Sequence, residues 1–274
     1  MGRAPSDPST ACFPLLRLRA AALTATLALA LAACERGREE PAPPSTVLTV
    51  SAAASLREVV AELGVRFEKA HPGVEVRANF GASGALRRQI EHGAPVDVFV
   101  SAAEGPMDEL ERAGLIEPRT RRPVAGNELV LVVPASGGSP ARSFADLARP
   151  EVRRVALGAP ASVPAGDYAD QVLRALGIAD AVRAKAVYAQ SVRQVLAYVE
   201  SGNVDAGVVY RTDARISRRV RVAAPAPPGS HAPITYSAAV VSRTGRPEAA
   251  QAFVAFLLGD AGREALSRHG FVAR

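Results

Sequence analysis

VLTVSAAASLREVVAELGVRF, residues 47–67, holds the pattern from which the fold can be read. Val47-Leu48-Thr49-Val50 is a short apolar run rich in β-branched residues, the mark of a buried strand. Leu56, Val59, Val60, Leu63, Val65 and Phe67 then supply the apolar face of a helix. Only small residues, Ser51 to Ser55, separate the two, so a strand turns almost directly into a helix. The switch repeats downstream. Strands are expected over 74–80, 96–100, 129–133, 155–157, 186–188, 205–210 and 234–241. Helices are expected around Leu86 and Ile90 and over 107–113, 144–147, 168–176, 192–200, 247–258 and 261–269. Such alternation predicts an α/β protein whose mainly parallel sheets are flanked by helices. Breaks at Gly126 and near Pro228 divide the series into two lobes, 47–126 with 232–274 and 127–231, although pattern alone does not establish that the C-terminal segment returns to the first lobe.

With 274 residues, 48% hydrophobic and 22% charged, the chain has the balance of a globular protein and no repeating period. Its formal charge of +6 invites a nucleic-acid reading that the distribution does not support. Lys69 and Lys185 are the only lysines, and the arginines fall in small scattered groups such as Arg87-Arg88 and Arg218-Arg219, without the interleaved aromatics of a stacking platform. No nucleic-acid partner is expected.

Arg17 and Arg19 precede an apolar run from Ala20 to Ala33, the length of a signal-peptide core and short of a bilayer span. The run ends in Leu31-Ala32-Ala33-Cys34, which resembles the lipobox of bacterial lipoproteins. Residues 1–33 are therefore expected to be removed and Cys34 lipidated, holding the protein at the periplasmic face of a bacterial membrane. An uncleaved anchor or a transit peptide is the alternative. Residues 34–46, Pro-rich and without apolar period, would form a tether. Cys12 would leave with the leader, and Cys34 is the last cysteine, so the mature body has no thiol for a disulfide, a thiolate metal site or a nucleophile.

Signals of catalysis are sparse. There is no dinucleotide fingerprint, no phosphate loop and no His-Glu-x-x-His, and the four histidines are far apart. His92 and His269 each precede a Gly near a helix end, where an imidazole favourably meets the helix C-terminus. Gly81-Ala82-Ser83-Gly84-Ala85 sits between a strand and a helix, as a nucleophile elbow does, so a serine hydrolase with Ser83 as nucleophile and Asp205 and His231 as partners stays open. The elbow's last Gly is Ala85, and no Gly-rich oxyanion loop precedes it.

Ser83 reads better in company. Ser55, the turn Val163-Pro164-Ala165-Gly166 and the turn Gln190-Ser191-Val192 also fall where a helix begins. In a parallel α/β sheet such turns lie at the carboxyl ends of strands, where ligands bind, and each helix start exposes unpaired N–H groups and a partial positive charge. Taken singly, Ser55 and Ser83 could be helix caps and nothing more. Four neutral, donor-bearing turns in two lobes point instead to an anion site without a basic residue.

The motifs AAASL (52–56), NFGASGALRRQIEHGAPVDVFVSA (79–102), GNELVLVVP (126–134), GAPASVPAGDYA (158–169), SVRQVLAYVESGNVDAGVVYRTDA (191–214) and RHGFV (268–272) carry a resemblance over nearly the whole chain after Val47. In order and spacing they resemble the periplasmic molybdate-binding proteins of ABC transporters. The resemblance implies a two-lobed type II periplasmic binding-protein fold with the ligand in the cleft between the lobes, no catalysis and no cofactor. It implies capture of molybdate or tungstate for an ABC permease, by a monomer. Its ligand residues fall on Ser55, Ser83, Ala165, Val192 and Tyr210, contacting the oxyanion's oxygens rather than the metal. Ser191 and Asp167 depart from the family's usual pattern. Sulfate, phosphate or an iron chelate are the other solutes such a fold could take.

Overall fold

The computed structural model describes residues 1–2 and 46–273, so Cys34, the expected leader beyond Gly2 and all of the tether before Thr46 lie outside the described residues. The chain runs through β1 (Thr46–Ala53), β2 (Val74–Gly81), β3 (Val98–Ser101) and β4 (Arg122–Gly126). It continues through β5 (Leu129–Pro134), β6 (Val155–Gly158), β7 (Ala186–Ala189), β8 (Ala206–Tyr210) and β9 (Val220–Pro225), and ends with β10 (Thr235–Val240) and β11 (Val272–Ala273). The helices are α1 (Arg57–Ala70), α2 (Ser83–Glu91), α3 (Glu104–Arg112), α4 (Pro164–Ala175), α5 (Ala179–Arg183), α6 (Val192–Glu200), α7 (Arg211–Arg215), α8 (Pro247–Leu258) and α9 (Asp260–Arg268).

Two sheets result. The first has six strands in the order β11-β4-β10-β3-β1-β2, and the second five in the order β7-β6-β8-β5-β9. Parallel neighbours form the heart of each: β2, β1 and β3 in the first, β7, β6 and β8 in the second. Antiparallel pairing sets in at β10, which runs against β3 and β4, and at β5, which runs against β8 and β9; the short β11 also runs against β4. β10 and β5 are the strands entered just after the chain passes between the sheets, at 226–234 and at 127–128.

The expected elements appear with small shifts, and the differences have local causes. β4, β9 and β11 were not foreseen: Arg122-Pro123 and the arginines flanking Val220 and Val222 break up the apolar signal of the first two, and β11 is only two residues long. The helix expected at 144–147 is a single 3₁₀ turn, Ala145–Ala148. α5 and α7, five residues each, are too short to show a helical period.

Burial explains the patterns that were legible. β1 lies between β2 and β3, and Leu48, Val50 and Ala52 are fully buried. Phe67 of α1 meets Phe253 and Phe256 of α8 edge-on at 5.2 and 5.5 Å, tying the C-terminal helices to the first. The parallel strands thereby hold the carboxyl ends of β1, β2, β6, β7 and β8 in place, and every one of them leads into a helical turn.

Candidate functional site

Helix starts from both sheets converge on one small chamber. It is lined by Ala53, Ala54, Ser55, Gly81, Ala82, Ser83 and Ala102 from the first-sheet side, and by Val163, Pro164, Ala165, Val192 and Tyr210 from the second. All five residues expected at the site therefore share one wall-to-wall space, and no lining residue is charged. The chamber's volume is about 10 Å³, far below the roughly 300–1,000 Å³ typical of sites for drug-sized organic molecules. This space excludes an organic solute of that size.

Each residue is placed by its turn. A 3₁₀ turn, Ala54–Leu56, links β1 to α1 and buries Ser55, whose hydroxyl lies 2.9 Å from the Tyr236 hydroxyl. Ser83 is the first residue of α2, and its Oγ accepts from the Ala102 N–H at 3.0 Å. Neither serine caps its helix, so the bland reading of these two residues does not describe their side chains. Gly158 and Gly166 let the turn before α4 close tightly: a Cβ on Gly166 would meet the Gly158 carbonyl oxygen at 2.1 Å. That turn presents Ala165 in the first turn of α4, and Val192 opens α6, so their N–H groups have no acceptor within the helix.

Tyr210 ends β8 with its hydroxyl buried and without a protein partner among the described residues. Burial pushes its phenol well above the ordinary value, so it stays protonated and keeps its donor. The two departures from the family pattern are also placed. Ser191 caps α6, accepting from the Gln194 N–H at 3.2 Å, which leaves the Val192 N–H open. Asp167 is exposed, bonds Gln171 at 3.0 Å and does not line the chamber.

Contacts across the seam surround the site. Gly84 N–H donates to the Ser162 carbonyl at 3.0 Å, and Arg193 of α6 pairs with Glu58 of α1. A wider hollow opens on the same seam, sharing Pro164 with the chamber. Arg87, Glu104, Glu109 and Asp167 line it, so its mixed charges do not offer the donor-only surface of the smaller space. The hydrolase constellation is not assembled. The Asp205 carboxylate accepts from the Arg153 and Arg154 backbone, and His231 contacts Ala232 and Tyr168. Tyr236, Asn127, Arg193 and Asp213 escaped the sequence reading, although the last three lie inside the motifs that carried the resemblance.

Two α/β halves with donors converging between them make a binding protein. The chain belongs to the bacterial extracellular solute-binding proteins, whose family profile matches residues 48–272. It is 42% identical over 253 residues to YvgL of Bacillus subtilis (strain 168), provisionally named an ABC transporter substrate-binding lipoprotein, covering 92% of this chain and 96% of that one. It is 37% identical over 233 residues to the molybdate-binding protein ModA of Escherichia coli (strain K12), covering 83% and 89%. Among solved structures, the periplasmic molybdate-binding protein of Azotobacter vinelandii superposes with a TM-score of 0.74 at 27% identity, over 83% of this chain and 99% of that one. The resemblance read from the motifs holds, and the family is one of solute-binding proteins rather than enzymes.

Proposed function

We propose that this chain is the substrate-binding component of an ABC importer, and that its solute is a fully deprotonated tetrahedral oxyanion, molybdate or tungstate. The observation that carries the reading is the chamber lined by neutral donors from both sheets. Burying a dianion opposes this arrangement by about 20 kcal/mol per charge in the idealised limit and several in practice. Each hydrogen bond to a charged group returns about 1.5–3 kcal/mol, and a helix N-terminus up to about 2. The hydroxyls of Ser55, Ser83 and Tyr210 with the N–H groups of Ala165 and Val192 return about 8–15 kcal/mol together, which offsets the practical cost without a lysine or arginine.

A site of donors also selects. Monohydrogen phosphate carries an O–H that needs an acceptor, and leaving a buried polar group unpaired costs about 1–3 kcal/mol. Molybdate, tungstate and sulfate pass that filter. The molybdate-binding relatives favour the first, and tungstate, of the same charge and shape, goes with it.

Because donors come from 47–126 with 232–274 on one side and from 127–231 on the other, ligand would stabilise the closed lobes, with the crossings at 127–128 and 226–234 as hinges. Export, lipidation at Cys34 and delivery to a permease by a monomer complete the proposal. The signal-like segment and the name of the Bacillus relative support the anchor.

The test is thermal unfolding with molybdate, tungstate, sulfate and phosphate. Ligand at 100 times its Kd adds about 2.7 kcal/mol, a readily measured shift. No shift with molybdate or tungstate would end the proposal.

A further inference from the structure

The Ser55 hydroxyl could face the chamber as donor or acceptor, since a serine can do either. A chain of contacts behind it removes the choice. Glu128 N–H donates to Asn127 Oδ1 at 2.9 Å, which fixes the side-chain amide and turns its NH₂ the other way. Asn127 Nδ2 lies 2.9 Å from Thr212 Oγ1 and 3.2 Å from Tyr236 Oη. An amide NH₂ only donates, so the Tyr236 oxygen accepts there and its own proton must go elsewhere. Ser55 Oγ, at 2.9 Å, takes it. The Ser55 proton is then left to point away from Tyr236, and Ser55 lines the chamber.

The chain has no easy alternative. Tyr236 is fully buried, Ser55 and Thr212 are each 3% exposed, and Phe271 packs edge-on against the Tyr236 ring at 5.3 Å. On the same first-sheet side, Ser83 Oγ accepts from the Ala102 backbone N–H, a donor that cannot reverse. Its proton too is free for the chamber.

We infer that Asn127 and Tyr236 are positioning residues that turn the Ser55 proton into the chamber, and that this orientation is what excludes oxyanions bearing a proton. The inference rests on the chamber being an oxyanion site. Asn127 lies on the crossing between the sheets, and its amide touches Thr212 of α7 and Tyr236 of β10. The proton order of the site is therefore set where the two halves join, and selectivity depends on their relative placement.

Two near-isosteric changes separate this role from mere support. Tyr236→Phe deletes the donor to Ser55, freeing that hydroxyl to accept from a ligand O–H. Asn127→Asp keeps the acceptor for Glu128 N–H but now accepts the Tyr236 proton, which reverses the chain and turns a Ser55 lone pair toward the ligand. The full chain and both variants are titrated calorimetrically with molybdate, sulfate and inorganic phosphate near pH 8, with melting curves to verify folding. Tyr236→Phe is expected to lower the ratio of phosphate Kd to molybdate Kd about tenfold or more, and Asn127→Asp to lower it further. Equal weakening for every anion, with the ratio unchanged, overturns the inference. Should the unmodified chain bind sulfate and not molybdate, the proposed solute falls while the phosphate-to-sulfate ratio still decides the proton order. Binding of none of the three overturns both.

Discussion

Arg193 of α6 donates to Glu58 of α1 at 3.0 Å, while its Nε lies 2.7 Å from the carboxylate of Asp213 in α7. One guanidinium thus joins the halves of the protein beside the chamber and neutralises a fully buried acid. It follows Val192 directly, so the residue that offers a backbone donor to the chamber is fixed by its neighbour's ion pairs.

Arg193→Ala should destabilise the protein by about 3–5 kcal/mol, because it leaves Asp213 buried without its counter-charge. Pairing it with Asp213→Asn should recover most of that loss. The half-exposed Glu58 carboxylate can turn to water, and losing its pair costs less than about 1 kcal/mol. Urea unfolding of the two single variants and the double variant checks this. Additive losses would show that the pair is not coupled.

Asp213 also predicts a pH dependence. Burial pushes its carboxyl up to about 6, with the Arg193 charge only partly offsetting the shift. A carboxyl raised in this way binds its proton more readily in the folded state. Its contribution to stability is present in full below about pH 4 and is lost as pH rises through about 6. For Glu58, burial pushes up and the Arg193 bond and charge more than offset it, leaving it lowered, so its contribution runs the other way. Subtracting the Asp213→Asn profile isolates the first effect. The difference in unfolding free energy should fall by on the order of 1–3 kcal/mol from pH 4 to 7, and a flat difference would refute the assignment.

Gly84 marks a close approach of the two backbones at the seam, its N–H 3.0 Å from the Ser162 carbonyl oxygen. A Cβ there would meet the Ser162 oxygen at 2.8 Å and its Cα at 2.9 Å, and these are backbone atoms that cannot swing aside. Gly84→Ala should prop the lobes apart, weakening the preferred oxyanion about tenfold, or roughly 1.4 kcal/mol, while the unliganded melting temperature changes little. Calorimetry with small-angle scattering reads both effects. Unchanged affinity together with unchanged compaction on ligand would show that this contact has no part in closure.

The sequence made the strand-to-helix turns legible because each combined an apolar run, small residues and a helical period within a few positions. Ser55, Ser83, Ala165 and Val192 were found for that reason, and Tyr210 came only through the family resemblance. What stayed hidden depended on partners far along the chain. Tyr236 is 181 residues from Ser55, and Asn127 is 109 from Tyr236. No local pattern tells a buried tyrosine that orients a serine from one that fills a core. Arg193 likewise looked like one of many scattered arginines until the fold set it 2.7 Å from Asp213.

Tyr210 yields the sharpest test of the chamber, because one change should act with opposite sign on the free and bound protein. Among the described residues its hydroxyl is buried without a partner, a state that costs about 1–3 kcal/mol for a polar group. Tyr210→Phe removes that group and little else, since the ring keeps its edge-on contact with Tyr236 at 5.8 Å. The unliganded variant should be as stable as the parent or more so. If the hydroxyl donates to a charged oxygen of the ligand, the same variant should lose about 1.5–3 kcal/mol of binding, a weakening of roughly 10- to 150-fold. Thermal unfolding without ligand and calorimetry with it measure the two arms. A variant that loses unliganded stability and keeps its affinity would place the Tyr210 hydroxyl in the packing of the protein rather than at its ligand.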